Sequence, residues 1–237
     1  IKIPSSVKEI RAAAFENCTN LEKVYLPEGL ETIRANAFAN NTSLRHIKLP
    51  STLTYLGAGA FENCTRITEI EIPKGVTEIN GATFKGCTLL EKVTLHDDIT
   101  SIHGETFMGC ESLIEIKLPS KITEIRGDTF NGCYNLQSIV IPEGVTRIGG
   151  SAFRYNYDLS YVSVPSTVTE IGSSAFRSCS SLTTIRIPAN AVVNERAFKD
   201  SGTNVREYTE DGVEDTFVNQ RYNQNLLLPV GSKDRKL

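Results

Sequence analysis

Six cysteines and three histidines are the residues of this chain with the most chemistry to offer. Their spacing decides whether they offer any. Cys18, Cys64, Cys87, Cys110, Cys133 and Cys179 fall at steps of 23 or 46 residues. Thiols in that number suggest a metal centre or a redox pair. A tetrahedral metal site needs ligands arriving from several directions, and residues recurring at one interval form a straight column. On successive turns of a stacked structure, Cα atoms ~5 Å apart come within disulfide range. Asn41 and Asn156 fill two places of the same column. Cys and Asn share small size and some hydrogen-bonding capacity, so the column reads as buried free thiols beside turn backbone, where Cys behaves as a small hydrophobe. His46, His96 and His103 occupy three different registers. No Cys or Ser partner is forced on any of them, and a catalytic triad needs convergent groups. The expectation is no enzymatic site, no cofactor and no metal in this piece. An enzyme would need groups from the irregular stretch 199–225, which shows no recognisable constellation. Asn17-Cys18-Thr19 and Asn63-Cys64-Thr65 match a glycosylation acceptor pattern, but their period explains them.

The period also defines the elements. Phe15, Phe38, Phe61, Phe84, Phe107, Phe130, Phe153 and Phe176 stand at a constant step of 23, followed by Phe198 after 22 and Phe217 after 19. Six residues after the Phe comes Leu or Ile, as at Leu21, Leu44 and Ile67, and nine after it Val or Ile, as at Val24 and Ile47. Proline closes this stretch at Pro27, Pro50, Pro73, Pro119, Pro142, Pro165 and Pro188, with His96 as the exception. A second apolar pair follows, as in Val76 with Ile79. A fixed period in this range marks a solenoid, because one unit cannot bury its own apolar side and stacked units can. The spacing predicts a first strand seven to eleven residues after each Phe, alternating inward and outward and ended by proline. A second strand carries a threonine column, Thr54, Thr77, Thr100, Thr123, Thr146 and Thr169. Neighbouring strands run parallel. Spacings of three around each Phe predict a short helical or 3-10 turn, with Gly57, Gly81, Gly104, Gly127, Gly149 and Gly150 supplying the bend.

At 237 residues and 40% apolar content the chain can build a sizeable core. Its 25 Lys+Arg against 28 Asp+Glu leave no basic footprint for nucleic acid or an anionic membrane surface. No apolar run approaches the ~20 residues of a membrane span. The opening "IKIP" reads as the strand end of a unit, so the chain is expected to be an excised or processed piece without its own targeting signal. Residues 1–198 are expected to form the regular solenoid. Residues 199–237 are expected to be a degenerate repeat and the C-terminal end of the same solenoid. There Leu226, Leu228 and Pro229 stand nine, eleven and twelve after Phe217 and would begin a tenth turn, "EYTEDGVED" would be a surface loop, and "SKDRKL" would fray.

"NCTNLEKVYLP", "GCESLIEIKLP" and "SCSSLTTIRIP", each with A-F or T-F upstream, resemble the bacterial surface leucine-rich repeats of the BspA-like, or treponemal, type. The resemblance covers roughly residues 1–200, with an echo at 217–231. It implies a leucine-rich-repeat solenoid: a right-handed superhelix of the α/β class, mostly β, with a parallel sheet on the concave face. It also implies a secreted or surface-anchored bacterial protein, several of whose relatives are adhesins for host matrix proteins or for other cells. Asn41, Asn156, His96 and the unit after Phe198 depart from the pattern and affect local packing.

What the repeat leaves free is informative about partners. The outward residues of the first strands begin as Glu22/Lys23/Tyr25, Arg45/His46/Lys48, Thr68/Glu69/Glu71, Glu91/Lys92/Thr94 and Ile114/Glu115/Lys117. Opposite charges on neighbouring strands, Lys48 beside Glu71 and Lys92 beside Glu115, are expected to pair and keep the face soluble. Then formal charge almost vanishes: Gln137/Ser138/Val140, Ser160/Tyr161/Ser163 and Thr183/Thr184/Arg186. Tyr134 and Tyr157 stand beside this strip. Tyr134, Tyr157, Tyr161, Val140, Ser163 and Arg186 form the candidate partner-binding site, since tyrosine is rigid, amphipathic and enriched at binding hot spots. The competing reading is that Tyr134 and Tyr157 stack on each other at the turn and shield the core. The expected function is an extracellular recognition module for a protein or glycan. The alternative is a structural spacer holding another domain away from a cell surface. An open solenoid also has two ends, and end-to-end self-association is an expected behaviour.

Overall fold

The computed structural model describes residues 1–209 and the backbone of Glu214–Phe217. The expected repeat is present as a parallel solenoid with a step of 23 residues per coil: Lys23 pairs with His46, Glu69 with Lys92, Ser138 with Tyr161, and Glu9 with Thr32. The first strands alternate as read from the sequence. In Glu69–Glu71 the two carboxylates face out and Ile70 is buried. The rings of Phe38, Phe61, Phe84, Phe107, Phe130, Phe153, Phe176 and Phe198 have no exposure to solvent. From Phe15 onward they stack on one another nearly parallel, 5.2 to 5.8 Å between centroids. Each ring buries against the coil before and the coil after, which is the stacking that one unit cannot supply alone.

The Phe segments differ from the expected helical turn. Successive i→i+3 hydrogen bonds fold them: Ala60 N–H donates to the Gly57 carbonyl, Glu62 to Gly59, Cys64 to Phe61 and Ile67 to Cys64. The N–H groups in between are committed to the next coil, Gly59 to Gly81, Phe61 to Thr83 and Asn63 to Lys85. This alternation makes a third ladder between coils. A 3-10 helix would keep every N–H within its own segment. The bend comes from left-handed residues two before and two after each Phe from Phe15 to Phe176. Asn36 (φ 56), Asp128 (φ 57) and Ser151 (φ 55) take the first place, and Asn40 (φ 60) and Gly109 (φ 72) the second. The glycines assigned to the bend from sequence do not carry it. At Gly57 a Cβ would sit 2.4 Å from the Ala35 nitrogen, and at Gly149 2.5 Å from the Gly127 nitrogen. Glycine is required there because two backbones approach each other.

The threonine column has a reason beyond β propensity. Thr54 Oγ1 donates to the Glu31 carbonyl, Thr100 to Thr77, Thr146 to Thr123 and Thr169 to Thr146, at 3.2 to 3.3 Å. These four hydroxyls each stitch their coil to the one before; Thr77 and Thr123, at the two coil boundaries without strand ladders, make no such bond.

The two sheets are not continuous. No ladder joins His46–Ile47 to Glu69–Glu71, nor Tyr55–Leu56 to Glu78–Ile79, among the described residues. A second seam falls where Ser101–Ile102 fails to pair with Glu124–Ile125, and residues 115–117 form no strand. The Phe ladder runs through both seams, with Phe38 N–H on Ala60 O and Phe84 N–H on Thr106 O. Side chains bridge what backbone does not. Asn80 Nδ2 donates to the Leu56 carbonyl at 2.7 Å, and Arg126 Nη1 meets His103 Nδ1 at 3.2 Å.

After Phe198 the coil shortens: Asn204–Tyr208 pairs parallel with Thr184–Pro188, Thr184 opposite Asn204. The next strand, Glu214–Phe217, runs antiparallel to it, with Phe217 opposite Arg206. Phe217 therefore stands in a strand that runs against the direction of the repeat. The tenth turn expected from Leu226, Leu228 and Pro229 lies outside the described residues.

Candidate functional site

The cysteine column performs structural chemistry. Cys64 Sγ–H donates to the Phe38 carbonyl at 3.1 Å, Cys87 to Phe61, Cys110 to Phe84, Cys133 to Phe107 and Cys179 to Phe153. Asn41 and Asn156 make the same bond through Nδ2, to Phe15 and Phe130. The column thus supplies one donor per coil to the carbonyl of the preceding Phe. Small size and donor capacity are what Cys and Asn have in common. All six thiols are free, and only Cys18 is exposed. Burial pushes Cys64 and Cys179 up to about 12, and Cys87, Cys110 and Cys133 upward as well. Such thiols are poor nucleophiles.

The histidines are dispersed as expected. His46 lies on the outer face. His96 replaces proline and stays useful: Nε2 lies 3.0 Å from the Pro73 carbonyl, and Nδ1 accepts the Asp98 N–H. His103 joins Arg126 across the second seam. No group of three or more His, Cys, Asp or Glu residues among those described could hold a metal ion. The acceptor-like Asn17 and Asn63 sit in an amide ladder with Asn40, at 2.9 to 3.0 Å.

The neutral strip lies on the first sheet. Ser138–Val140 and Tyr161–Ser163 are paired parallel strands, so Tyr161 stands beside Ser138, and Ser163 beside Val140. Val140 is 61% exposed and Tyr161 57%. Tyr134 and Tyr157 stack at 5.3 Å with 27° between planes, and Tyr155 tilts against Tyr157 at 6.2 Å. Burial, then the Glu111 carboxylate, raises the Tyr134 phenol above its ordinary range. Arg186 lies over the Tyr208 ring at 6.0 Å, and Tyr208 OH donates to the Val164 carbonyl at 2.8 Å. The six candidate residues thus divide into the open group Tyr161, Val140 and Ser163, the prestacked pair Tyr134 and Tyr157, and Arg186 against Tyr208.

The family model for the BspA type leucine rich repeat region matches in six copies, over residues 1–113 and 77–204. The chain belongs to that family. A comparison with curated proteins gives no match. Among solved structures, a leucine-rich repeat protein from Bacteroides ovatus is 27% identical, with a TM-score of 0.55 over 88% of this chain and 74% of that one. The leucine-rich repeat protein of T. pallidum is 24% identical at a TM-score of 0.53, covering 77% of each chain. The pneumococcal vaccine antigen PcpA shares the fold at 19% identity and a TM-score of 0.60, over 94% of this chain and 65% of that one. The match is to a repeat scaffold, and no enzymatic family is indicated.

The BspA-type columns absorb the cysteines, the prolines, the buried apolar residues and much of the threonine. The charged coils behave differently from expectation. Lys48 does not pair with Glu71, nor Lys92 with Glu115; each pair straddles a seam where the strands are not laddered. Ion pairs form elsewhere between coils, Arg45 with Glu22, Arg147 with Glu170 and, across the second seam, Lys121 with Asp98, while Glu69 and Lys92 form none although their strands are laddered. A groove of ≈ 870 Å³ lies at the first seam, floored by Ile47, Leu49, Ile70 and Ile72 and rimmed by Lys48, Glu69, Glu71 and Lys92. It is separate from the neutral strip. The sequence reading also missed Arg154 and Tyr155. Tyr155 is held at φ 63, in the column where Asn17, Asn40, Asn63, Gly86, Gly109 and Gly132 stand, and the Arg154 guanidinium lies 4.3 Å from its ring centroid. A tyrosine intruding into a column of Asn and Gly was the available signal, since a bulky residue at positive φ is strained.

Proposed function

We propose that this BspA-type solenoid is a non-enzymatic recognition module displayed outside the cell, binding a protein or glycan partner through the first-sheet face around Tyr161. The observation that carries the reading is the exposure of Tyr161 and Val140 on a stretch of sheet almost without formal charge. Elsewhere on this face charged side chains alternate, which keeps a sheet soluble and unattractive to partners. The site uses a preformed surface. Tyr161 is fixed by a paired strand, and the adjoining Tyr134–Tyr157 pair is already stacked, so little ordering cost opposes binding. Repeat proteins use such extended surfaces for recognition. No helix among the described residues is long and apolar enough to cross a membrane, and the family's relatives on bacterial surfaces support a surface location.

The test is a binding screen of the chain against host matrix proteins, cell-surface glycoproteins and glycans, with the Tyr157→Ala/Tyr161→Ala double variant alongside at two salt concentrations. A saturable ligand whose affinity drops in the variant by about 30-fold or more, as for a hot spot of ~2 kcal/mol, supports the module and its site. A ligand unaffected by the variant but weakened by salt would move the site to the charged coils. Absence of any ligand for the folded chain would favour a spacer.

A further inference from the structure

We infer that the strip around Tyr161 is a carbohydrate platform, taking one or two rings of a neutral oligosaccharide; this rests on the recognition reading above and names its ligand class. Tyr161 differs from its fellow tyrosines in what surrounds the ring. Tyr55 lies under Arg34, Tyr155 under Arg154 and Tyr208 under Arg186, while Tyr134 and Tyr157 use a face of each ring on the other. Tyr161 has no ring, guanidinium or hydroxyl partner among the described residues. Its paired neighbour on the sheet, Ser138, is small, and the repeat puts Thr184 in the equivalent place one coil on, in a strand not laddered to its own. At 57% exposure, with no other ring or guanidinium stacked on it among the described residues, the Tyr161 ring stands largely open to solvent.

That pattern matches one ligand chemistry in particular. A pyranose ring has an apolar face of C–H groups and a rim of hydroxyls that donate and accept equally. The open face of Tyr161 suits the first. The hydroxyls of Ser138, Ser163 and Thr184, with the amide of Gln137, suit the second. Charge points the same way. Tyr25 also lacks a ring partner and is 61% exposed, but it bridges to Lys2 in the charged part of the sheet. Around Tyr161 no carboxylate or ammonium stands at the outward places of its own coil or of the coil before. A charged partner would find nothing to pair with there, whereas a neutral ligand loses nothing by its lack of charge. The Arg186–Tyr208 contact, tied back to Val164, closes the strip on the side of the later coils, so the platform is bounded and suits a short segment of chain.

The experiment is calorimetric titration of the chain with defined neutral hexasaccharides (glucan, mannan and galactan), with saturation-transfer NMR on any that bind. Tyr161→Ala, Tyr161→Phe and Ser138→Glu variants and a matrix-protein panel run in parallel. The expected result is a salt-insensitive hexasaccharide interaction, weakened about ten-fold or more in Tyr161→Ala. Tyr161→Phe, which keeps the stacking face, should weaken it by less than about three-fold, and saturation should reach the C–H face of one sugar ring. Hexasaccharide binding unchanged in Tyr161→Ala overturns the platform. Silence from every neutral sugar, with a matrix protein lost on Tyr161→Ala, overturns the carbohydrate assignment and leaves the recognition reading standing. Silence from sugars and proteins alike overturns both. Near-native melting of each variant, all being changes on an exposed face, guards against reading misfolding as lost binding.

Discussion

At the scale of the residue, the cysteine column shows how one position serves packing and hydrogen bonding together. The thiols give Phe carbonyls a second hydrogen bond from the next coil: Phe61 O accepts both the Cys64 N–H of its own coil and the Cys87 thiol of the next. Iodoacetamide at pH 8 should therefore label Cys18 rapidly and the other five only after denaturation. Labelling of Cys87 or Cys110 in the folded protein would contradict their burial. The raised thiol pKa values also make stability depend on pH. The unfolded chain ionises its thiols near 8.5, whereas Cys64 and Cys179 hold their protons until about 12. Above the unfolded value the native state binds more protons than the unfolded one, so stability is complete below about pH 8.5 and falls as pH rises towards 12. Each such thiol gives up roughly 1.4 kcal/mol per pH unit in that window. Urea midpoints at pH 8 and pH 10 should show the fall, and a Cys64→Ser/Cys179→Ser variant should show a shallower one; equal slopes would refute the linkage. Much of this was legible in the sequence: Asn41 and Asn156 in a cysteine column indicate a small, buried position with hydrogen-bonding capacity. The carbonyl they serve was not legible, because it lies 26 residues back on another coil.

Elements repeat the same lesson with different residues. Periodicity located both sheets, their parallel sense and their inward faces, since a step of 23 leaves no other way to bury Phe, Leu and Ile together. It failed in the turns. Spacings of three looked helical, but the segments alternate their N–H groups between their own fold-back and the next coil, a choice that only the stacked structure imposes. Glycine was misread for the same reason. Left-handed positions accept Asn, Asp, Ser and even Tyr155, while Gly57 and Gly149 answer to a backbone on the neighbouring coil. Two substitutions separate these roles. Gly149→Ala should lose roughly 3 kcal/mol or more, because its Cβ would meet backbone that has no rotamer to yield. Gly144→Ala, at φ 91 with open space around it, should lose only about 1 kcal/mol of backbone strain. Chemical denaturation measures both, and a similar small loss at the two sites would return Gly149 to the bend.

For the whole molecule, the seams matter more than any single coil. A solenoid's stability is a sum of coil terms and nearest-neighbour interface terms, and an interface missing both strand ladders is held by the Phe column and by side chains such as Asn80. Cooperativity should therefore be weakest between the Phe38 and Phe61 coils and between the Phe84 and Phe107 coils. The seams were hidden in the sequence because the inward columns continue across them without change. Phe38→Ala, a loss of about 3–5 kcal/mol from the first block, is the informative perturbation. Hydrogen exchange should then show residues up to about Leu56 losing protection by local opening, while amides from Glu69 onward exchange near their wild-type rates. A uniform loss of protection along the chain would mean that the Phe ladder alone couples all coils, and the seams would have no energetic meaning. If the boundary appears, the neutral strip around Tyr161 lies beyond both seams, and its binding should survive Phe38→Ala with affinity unchanged. That outcome would place recognition and the early charged coils in separate cooperative units of one continuous repeat.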